Sequence, residues 1–480
     1  MIASETVQQR LTIPLSAESL SAERISYLEE LVGQARNAAA VFTQFTQADV
    51  DRIVKAMVLA GLEQAQYLAR LAVEETRLGV MEDKVIKNMV ATEFAYHYAK
   101  DKRTVGVIRE FPERNLEEIA EPIGVLFSLT PITNPTSTVL FKCIVAIKTR
   151  NAVIFSPHPK AAHCCAEAVR VMYETAVKQV APEGVFACVE APSLPDNAYL
   201  MRHKDVGLID ATGGPGVVKA AYSSGKPALG VGPGNTPVYF EKSADLNTSV
   251  VDIIVSKTFD NGTICASEQT VVIDDEIYDR VLKKFADLGA HICDEKETRL
   301  LERTVIDPQT GFMQAMAVGQ KAEDIARFVG LEVKPGTKLL IAPIQGAGRE
   351  HPLSVEKLFP VLGVYRAKSL NEALKVCVDV NHAGGIGHTA VIFSRNDEVI
   401  RKFGEVINAG RIIVNSPGSI GALGAVYNDL VPTFSFGCGT GGATARPTTS
   451  IFITTSTSSA WRAGRKTTCG SACRTRFTST

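Results

Sequence analysis

The stretch IGVLFSLTPITNPTSTVLFKCIVAIKTRNAVIFSPHPKA, residues 123–161, decides the fold. Ile123 to Leu129 is a nearly continuous apolar run, as a strand buried on both faces requires. It ends in Thr130–Pro131–Ile132–Thr133–Asn134–Pro135, which breaks the strand. A helical stretch from Ser137 to Lys148 follows, then a second short apolar strand, Ala152 to Phe155. Another helix, Lys160 to Val180, leads to strands at Val185 to Val189 and Val206 to Ile209. Strands alternating with helices predict a parallel, doubly wound α/β sheet.

Upstream, residues 21–104 read as helices. Val50, Ile53, Val54 and Met57 recur at helical spacing, and Thr46 with Asp49 resembles a capping box. These helices read as scaffold without chemistry. Thr104 to Ala120 alternates weakly around a polar, proline-containing centre, Phe111 to Asn115. It fits a hairpin reaching away from the body, or a surface loop.

Downstream, the strand at Val206 runs into Ala211–Thr212–Gly213–Gly214–Pro215–Gly216, with a helix starting near Val217. Glycines between a strand end and a helix start let backbone N–H groups approach a pyrophosphate, though GGPG also makes turns. The run GVGPGN, residues 230–235, adds flexible backbone. Neither segment matches a strict G-x-G-x-x-G or a P-loop. Further strands read at Thr270 to Ile273, Leu339 to Ala342, up to Phe393 and at Arg411 to Val414, with helices at Glu276 to Leu288 and Ser369 to Val380. They predict a second α/β domain over residues 257–430.

Between the two lies SKTFDNGTICASEQ, residues 256–269. It sets Cys265 among small and polar residues ahead of a β-rich segment. A thiol on such a turn suits a thiolate nucleophile, and equally a buried structural cysteine.

Composition narrows the class. A length of 480 residues allows two or three domains, and 45% hydrophobic residues suit a globular core. The formal net charge of −1 gives no basis for nucleic acid or an anionic membrane as partner. No segment reaches about 18 consecutive apolar residues, and Met1 to Leu20 lacks a signal pattern. Ten cysteines without repeating spacing, two of them adjacent at Cys164 and Cys165, predict reduced thiols in a cytoplasmic enzyme. No Cys-x-x-Cys pair is present, and His382 and His388 alone are weak grounds for a metal, so none is expected.

The strings EPIGVLFSLTPITNPTST, TRNAVIFSPHPKA, ATGGPGVVKAAYSSGKPALGVGPGNTPV, SKTFDNGTICASEQ, GGIGHT and FGCGTGG occur in this order across residues 25–442. Together they resemble the aldehyde dehydrogenase superfamily, in its CoA-acylating branch, nearest the aldehyde half of bifunctional aldehyde–alcohol dehydrogenases. The resemblance implies an aldehyde dehydrogenase-like fold of two doubly wound α/β domains and a β-hairpin oligomerisation arm. It divides the chain into a cofactor domain (1–104 and 121–256), an arm (105–120), a catalytic domain (257–430), a return to the cofactor domain (431–442) and an atypical tail (443–480).

The resemblance also implies roles. Cys265 is the nucleophile, giving a thiohemiacetal that passes hydride to NAD and becomes a thioester. Asn134 is the side-chain donor of an oxyanion hole, with the Cys265 backbone N–H as the other. Thr212, Gly213, Gly214 and Gly216 form the cofactor phosphate turn, and Gly232 lies in the glycine run behind it. Ser156, Pro157 and His158 occupy the turn where many members place a lysine on the adenosine ribose. That lysine is missing, which leaves NAD against NADP open. Glu356 is the loose match to a ribose-binding glutamate. His388 in GGIGHT either helps deprotonate Cys265 or CoA or only shapes its loop. Cys438 reads as structural.

Hydrolytic members carry a glutamate in the segment corresponding to Gly230 to Asn235, and this chain has none there. An external thiolate is the better acceptor, which makes CoA the second substrate. The expected reaction is NAD-dependent oxidation of a small aldehyde, acetaldehyde first, to acyl-CoA, and its reverse, by a cytoplasmic homo-oligomer. The alternatives are another small aldehyde such as sulfoacetaldehyde or succinate semialdehyde, a hydrolytic enzyme, and an inactive structural subunit.

The resemblance stops at Gly442. Residues 443–480 hold no Asp or Glu but carry Arg446, Arg462, Arg465, Lys466, Arg474 and Arg476, and the only tryptophan, Trp461. Such a composition fits a disordered basic tail. It also fits a frameshift: ATARPTTSIFITT, back-translated and read in the neighbouring frame, approaches the family's usual continuation. Under that reading the intended chain ran on, into an iron-dependent alcohol dehydrogenase half, and subunit assembly is altered.

Overall fold

The structure, a computed structural model, describes residues 20–435 and a strand at 475–477. Four helices open it: α1 (Ala22–Phe42), α2 (Gln47–Glu63), α3 (Ala65–Thr76) and α4 (Met81–Met89). The capping box at α2 is complete: the Thr46 hydroxyl accepts from the Asp49 N–H and the Asp49 carboxylate accepts from the Thr46 N–H. Two orphan donors at the helix start are thereby satisfied.

Residues 104–120 form the hairpin rather than the loop. Strands β1 (Gly106–Phe111) and β2 (Leu116–Ala120) pair antiparallel. Asn115 closes the turn at φ 51°, a left-handed geometry that asparagine tolerates. The tail strand Thr475–Phe477 pairs antiparallel with β2 on its other side.

The predicted parallel sheet follows. It contains β3 (Val125–Thr130), β4 (Ala152–Pro157), β5 (Phe186–Cys188), β6 (Val206–Thr212) and β7 (Ala228–Val231), in the order β5-β4-β3-β6-β7. The helices α5 (Pro135–Lys148), α6 (Ala162–Lys178), α7 (Leu194–Arg202) and α8 (Pro215–Tyr222) connect or flank these strands. All of α5 is buried, which explains its nearly unbroken apolar run VLFKCIVAIK. Its mid-helix lysine, Lys142, reaches Asp210 at 3.2 Å and Ser128 at 2.9 Å. That pairing lets β6 run three residues past its predicted end at Ile209, because Asp210 is satisfied inside the sheet.

The second sheet has seven parallel strands in the order β10-β11-β12-β9-β8-β13-β14. They are β8 (Thr236–Phe240), β9 (Glu268–Asp274), β10 (Ala290–Ile292), β11 (Leu339–Pro343), β12 (Val361–Ala367), β13 (Thr389–Phe393) and β14 (Arg411–Val414). This corrects the domain boundary at 256/257. Strand β8 pairs with both β9 and β13, so residues from 236, with helix α9 (Leu246–Thr258), belong to the second sheet. TPVYF follows the glycine-rich run GVGPGN directly, and nothing local in the sequence assigns it to the second sheet.

The chain then returns to the first sheet. Phe434 packs on Phe141 of α5, with ring centroids 5.7 Å apart. The glycine-rich turn at 436–442, with Cys438, and the tail outside 475–477 lie beyond the described residues. Among the described residues no helix is long and apolar enough to cross a membrane.

Candidate active site

The cysteine loop hangs between α9 and β9. Asp245 caps α9, accepting from the Asn247 and Thr248 N–H groups. After Thr258 the chain turns through Asp260 (φ 49°), Asn261 (φ 51°) and Gly262 (φ 76°). Gly262 takes this geometry freely, but two successive non-glycine residues in it are costly and persist only where the surroundings hold them. Asp260 supplies the hold. Its Oδ1 accepts from the Val80 N–H at 2.7 Å, and its Oδ2 accepts from Lys84 at 2.8 Å, Thr263 at 2.6 Å and Lys87. Burial pushes its carboxyl up, but Lys84 and Lys87 together hold it below the usual carboxylate range.

Cys265 emerges from this loop partly exposed. Its Sγ lies 3.1 Å from His388 Nε2, and His388 Nδ1 lies 2.9 Å from the Thr389 hydroxyl. His388 is fully buried just before β13, and burial with Arg411 nearby pushes it down to about 3. Burial, then the Glu356 carboxyl, pushes the Cys265 thiol up to about 12, against the backbone N–H groups of Cys265 and Ala266 and the Lys87 charge. The resting pair is therefore a neutral thiol beside a neutral imidazole.

Gly234 abuts the cysteine. A Cβ there would stand 2.1 Å from the Cys265 carbonyl oxygen and 3.1 Å from His388 Cε1. The Gly234 N–H donates to Glu356 Oε1 at 2.8 Å, and burial raises Glu356 to about 7 against that bond. Glu356 in turn lines a cleft of about 560 Å³ together with Pro215, Val218, Lys219, Gly232 and Pro233. Pro215 of the GGPG turn, Gly232 and Pro233 of the GVGPGN run and Glu356 thus share one cleft, whereas Thr212, Gly213, Gly214 and Gly216 are not among its lining residues; Cys265 lies behind Gly234, outside the lining.

The phosphate-turn candidates sit at the β6–α8 junction. Gly214 is the residue before α8, Gly216 lies in its first turn, and the Gly213 N–H donates to Val231 O at 3.1 Å. The Thr212 hydroxyl is enclosed and has no partner among the described residues. An orphaned hydroxyl beside a helix N-terminus that opens on a cleft fits a bound dinucleotide. Ser156 and Pro157 end β4, two strands from β6 and outside the cleft's lining. The Ser156 hydroxyl is engaged with Asn197 Oδ1 at 2.6 Å, and His158 is exposed and accepts from the Lys160 N–H.

Asn134 is the residue before α5 and is half-buried. Its Oδ1 accepts from Lys87 Nζ at 2.6 Å, and its Nδ2 donates to Thr133 Oγ1 at 3.1 Å. That lysine comes from residues 21–104, the helices read from the sequence as scaffold without chemistry. Helix α4 turns Lys84, Lys87 and Asn88 inward, while Ile86 is 42% exposed. The only local signal was the i, i+3, i+4 spacing of those polar residues, which normally marks a solvated face.

Elsewhere, the ligand atoms of His291, Cys293 and Glu297 lie within 4.8 Å of one another at the edge strand β10. His291 is already paired with Glu297 at 3.0 Å. The group stands apart from Cys265, four strands from β8.

Two doubly wound sheets, a cleft at a strand–glycine–helix junction and a cysteine paired with histidine behind it define a dinucleotide-type α/β enzyme scaffold with a thiol at its centre. The aldehyde dehydrogenase family model matches residues 19–425, and the chain belongs to that family. It is 41% identical over 427 residues to the bifunctional aldehyde-alcohol dehydrogenase AdhE of Escherichia coli, covering 88% of this chain and 48% of that one. The chain thus spans about half the length of the first curated relatives it matches. It is 40% identical to a succinate-semialdehyde dehydrogenase (acetylating) of Clostridium kluyveri, over 86% of this chain and 91% of the relative. Among solved structures, an acetylating aldehyde dehydrogenase from Geobacillus thermoglucosidasius superposes with a TM-score of 0.87 at 40% identity, covering 93% of this chain and 98% of that one. A propionaldehyde dehydrogenase of Rhodopseudomonas palustris, with bound CoA and an acylated cysteine, superposes with a TM-score of 0.78 at 27% identity, over 90% and 96%.

Proposed function

We propose that the chain is a CoA-acylating aldehyde dehydrogenase that converts a small aldehyde, acetaldehyde first, with NAD and CoA to acyl-CoA, and runs in reverse from acetyl-CoA. The observation that carries the reading is Cys265 Sγ at 3.1 Å from a buried, neutral His388, with Gly234 between Cys265 and Glu356 of the cleft. Relatives described as acetylating, and one solved with CoA on an acylated cysteine, support it.

The residues divide the work. Cys265 sulfur attacks the aldehyde carbonyl carbon, and its proton leaves to solvent, relayed by the hydrogen bond to His388 Nε2. The carbonyl oxygen becomes an oxyanion facing the Asn134 amide and the Cys265 backbone N–H, an arrangement that contributes about 3 kcal/mol per donor. NAD supplies one function, acceptance of the hydride that leaves the tetrahedral carbon. Thr212, Gly213, Gly214 and Gly216 would hold its pyrophosphate and Glu356 a ribose. The thioester on Cys265 then meets the CoA thiolate. Acyl transfer frees the cysteine thiolate, which regains a proton.

Water is the competing acceptor. Gly230 to Asn235 holds no carboxylate of its own, so no base from that segment activates water against the thioester. The test is NADH formation from acetaldehyde with and without CoA. The reading expects CoA-dependent turnover. Equal rates without CoA would overturn the acylating assignment.

A further inference from the structure

Helix α4 joins the two loops that carry the reacting groups. Lys84 and Lys87, one turn apart, both reach Asp260 in the cysteine loop. Both also reach the TPITN loop: Lys84 Nζ donates to Thr133 O at 3.1 Å, and Lys87 Nζ donates to Asn134 Oδ1 at 2.6 Å. Lys87 has a third partner, Thr263 Oγ1 at 3.0 Å. An ammonium has three N–H bonds, and all three are used. The side chain is fully buried, so its position is fixed by these partners.

The consequence falls on the amide of Asn134. An ammonium donates and cannot accept, so only Oδ1 can face it. The amide is therefore barred from flipping, and Nδ2 must point away from Lys87. One of its hydrogens goes to Thr133 Oγ1. The other is left for an acceptor outside the protein framework. In an asparagine free to flip, half of its orientations would present an oxygen to a developing oxyanion and repel it.

We propose that Lys87 is the positioning residue for the oxyanion donor: it grips Asn134 by the amide oxygen and so commits the nitrogen to the substrate carbonyl oxygen. Through Asp260 and Thr263 it also ties that donor to the loop bearing Cys265. The inference rests on the proposed roles of Cys265 and Asn134. The cysteine loop and the TPITN loop belong to different sheets, so one cation spanning both fixes the distance between nucleophile and donor.

Two reactions of Cys265 separate this role from a purely structural one. With p-nitrophenyl acetate, the sulfur takes the acetyl group, p-nitrophenolate leaves, and an oxyanion forms on the way. With iodoacetamide, the sulfur takes the carboxamidomethyl group, iodide leaves, and no oxyanion forms. Lys87→Met should slow acylation roughly 100-fold, the scale of a lost oxyanion donor, with alkylation within a factor of about 3. Lys87→Gln, which keeps a neutral donor, should fall between. Lys84→Met, which weakens the same Asp260 clamp without touching the Asn134 side chain, should leave the ratio of the two rates unchanged.

Asn134→Ala completes the cycle. It should slow acylation by itself, and adding Lys87→Met should cost little more, because both act on one amide. If Asn134→Ala leaves acylation intact, the oxyanion reading fails and this inference with it. If Asn134→Ala slows acylation but Lys87→Met does not, or slows both reactions alike, Lys87 is a structural cation and the inference alone is overturned. Full additivity of the two variants would overturn it as well.

Discussion

His388 Nε2 stands 3.1 Å from Cys265 Sγ, and both groups are neutral at working pH. A thiol pushed up to about 12 does not ionise at rest. Alkylation of the free enzyme by iodoacetamide should therefore rise steadily from pH 7 to pH 10, with no step near the usual histidine range. His388→Asn should lower thioester formation on the order of 100-fold, the lower end for a lost acid–base partner. A plateau in the alkylation rate below pH 8 would mean a resting thiolate.

Asp260 is the counter-charge of two buried lysines and the anchor of three left-handed residues. Asp260→Asn keeps the shape but leaves Lys84 and Lys87 without their shared carboxylate. Breaking a buried ion pair from one side costs about 3–5 kcal/mol. The urea midpoint should drop accordingly, in the free chain and without substrate. An unchanged midpoint would mean that the clamp does not stabilise the loop.

Glu268 is fully buried at the start of β9, where its Oε1 accepts from the Gly418 N–H at 2.8 Å. Burial raises it from 4.5 to about 7. The folded chain thus binds this proton more tightly than the unfolded chain. Its contribution is fully present below about pH 4.5 and is lost as pH rises through 7. Glu268→Gln never ionises and escapes that loss. Relative to wild type, the variant should gain up to about 3 kcal/mol between pH 4.5 and pH 8, read from urea midpoints. Lys257, pushed down to about 7 by burial, moderates the change. A difference independent of pH would contradict the buried-acid account.

Gly234 permits the close approach of the GVGPGN run to Cys265. Gly234→Ala would set a methyl 2.1 Å from the Cys265 carbonyl oxygen, so backbone must move. A displacement of about 1 Å at a reacting group costs on the order of 100-fold in rate. Acyl transfer should fall by that much while the far-ultraviolet circular dichroism stays unchanged. Full activity would show that the loop relaxes freely.

The parts legible in the sequence were those that burial writes locally. Val125–Thr130 and Ala152–Pro157 are buried on both faces, so each is an unbroken apolar run with breakers at its ends. Cys265 and Asn134 were reached through strings that resemble a known family, because the residues alone leave Cys265 open between a nucleophile and a structural thiol. Lys84 and Lys87 were illegible. In a nine-residue helix of mixed polarity a lysine reads as solvated, and the carboxylate that compensates its burial, Asp260, lies 176 residues beyond Lys84. The domain boundary was misplaced because β8 pairs with β13, about 150 residues away, and sequence order gives no hint of that partner.

The most direct measurement is the acyl-enzyme itself. Wild type and Cys265→Ala are incubated with acetyl-CoA in the absence of NADH, quenched in acid, digested and analysed by mass spectrometry. In wild type an acetyl group is expected on the peptide carrying Cys265, released by added CoA, with no acetylated cysteine in the variant. Acetylation of another cysteine, or of the variant to the same extent, would contradict it.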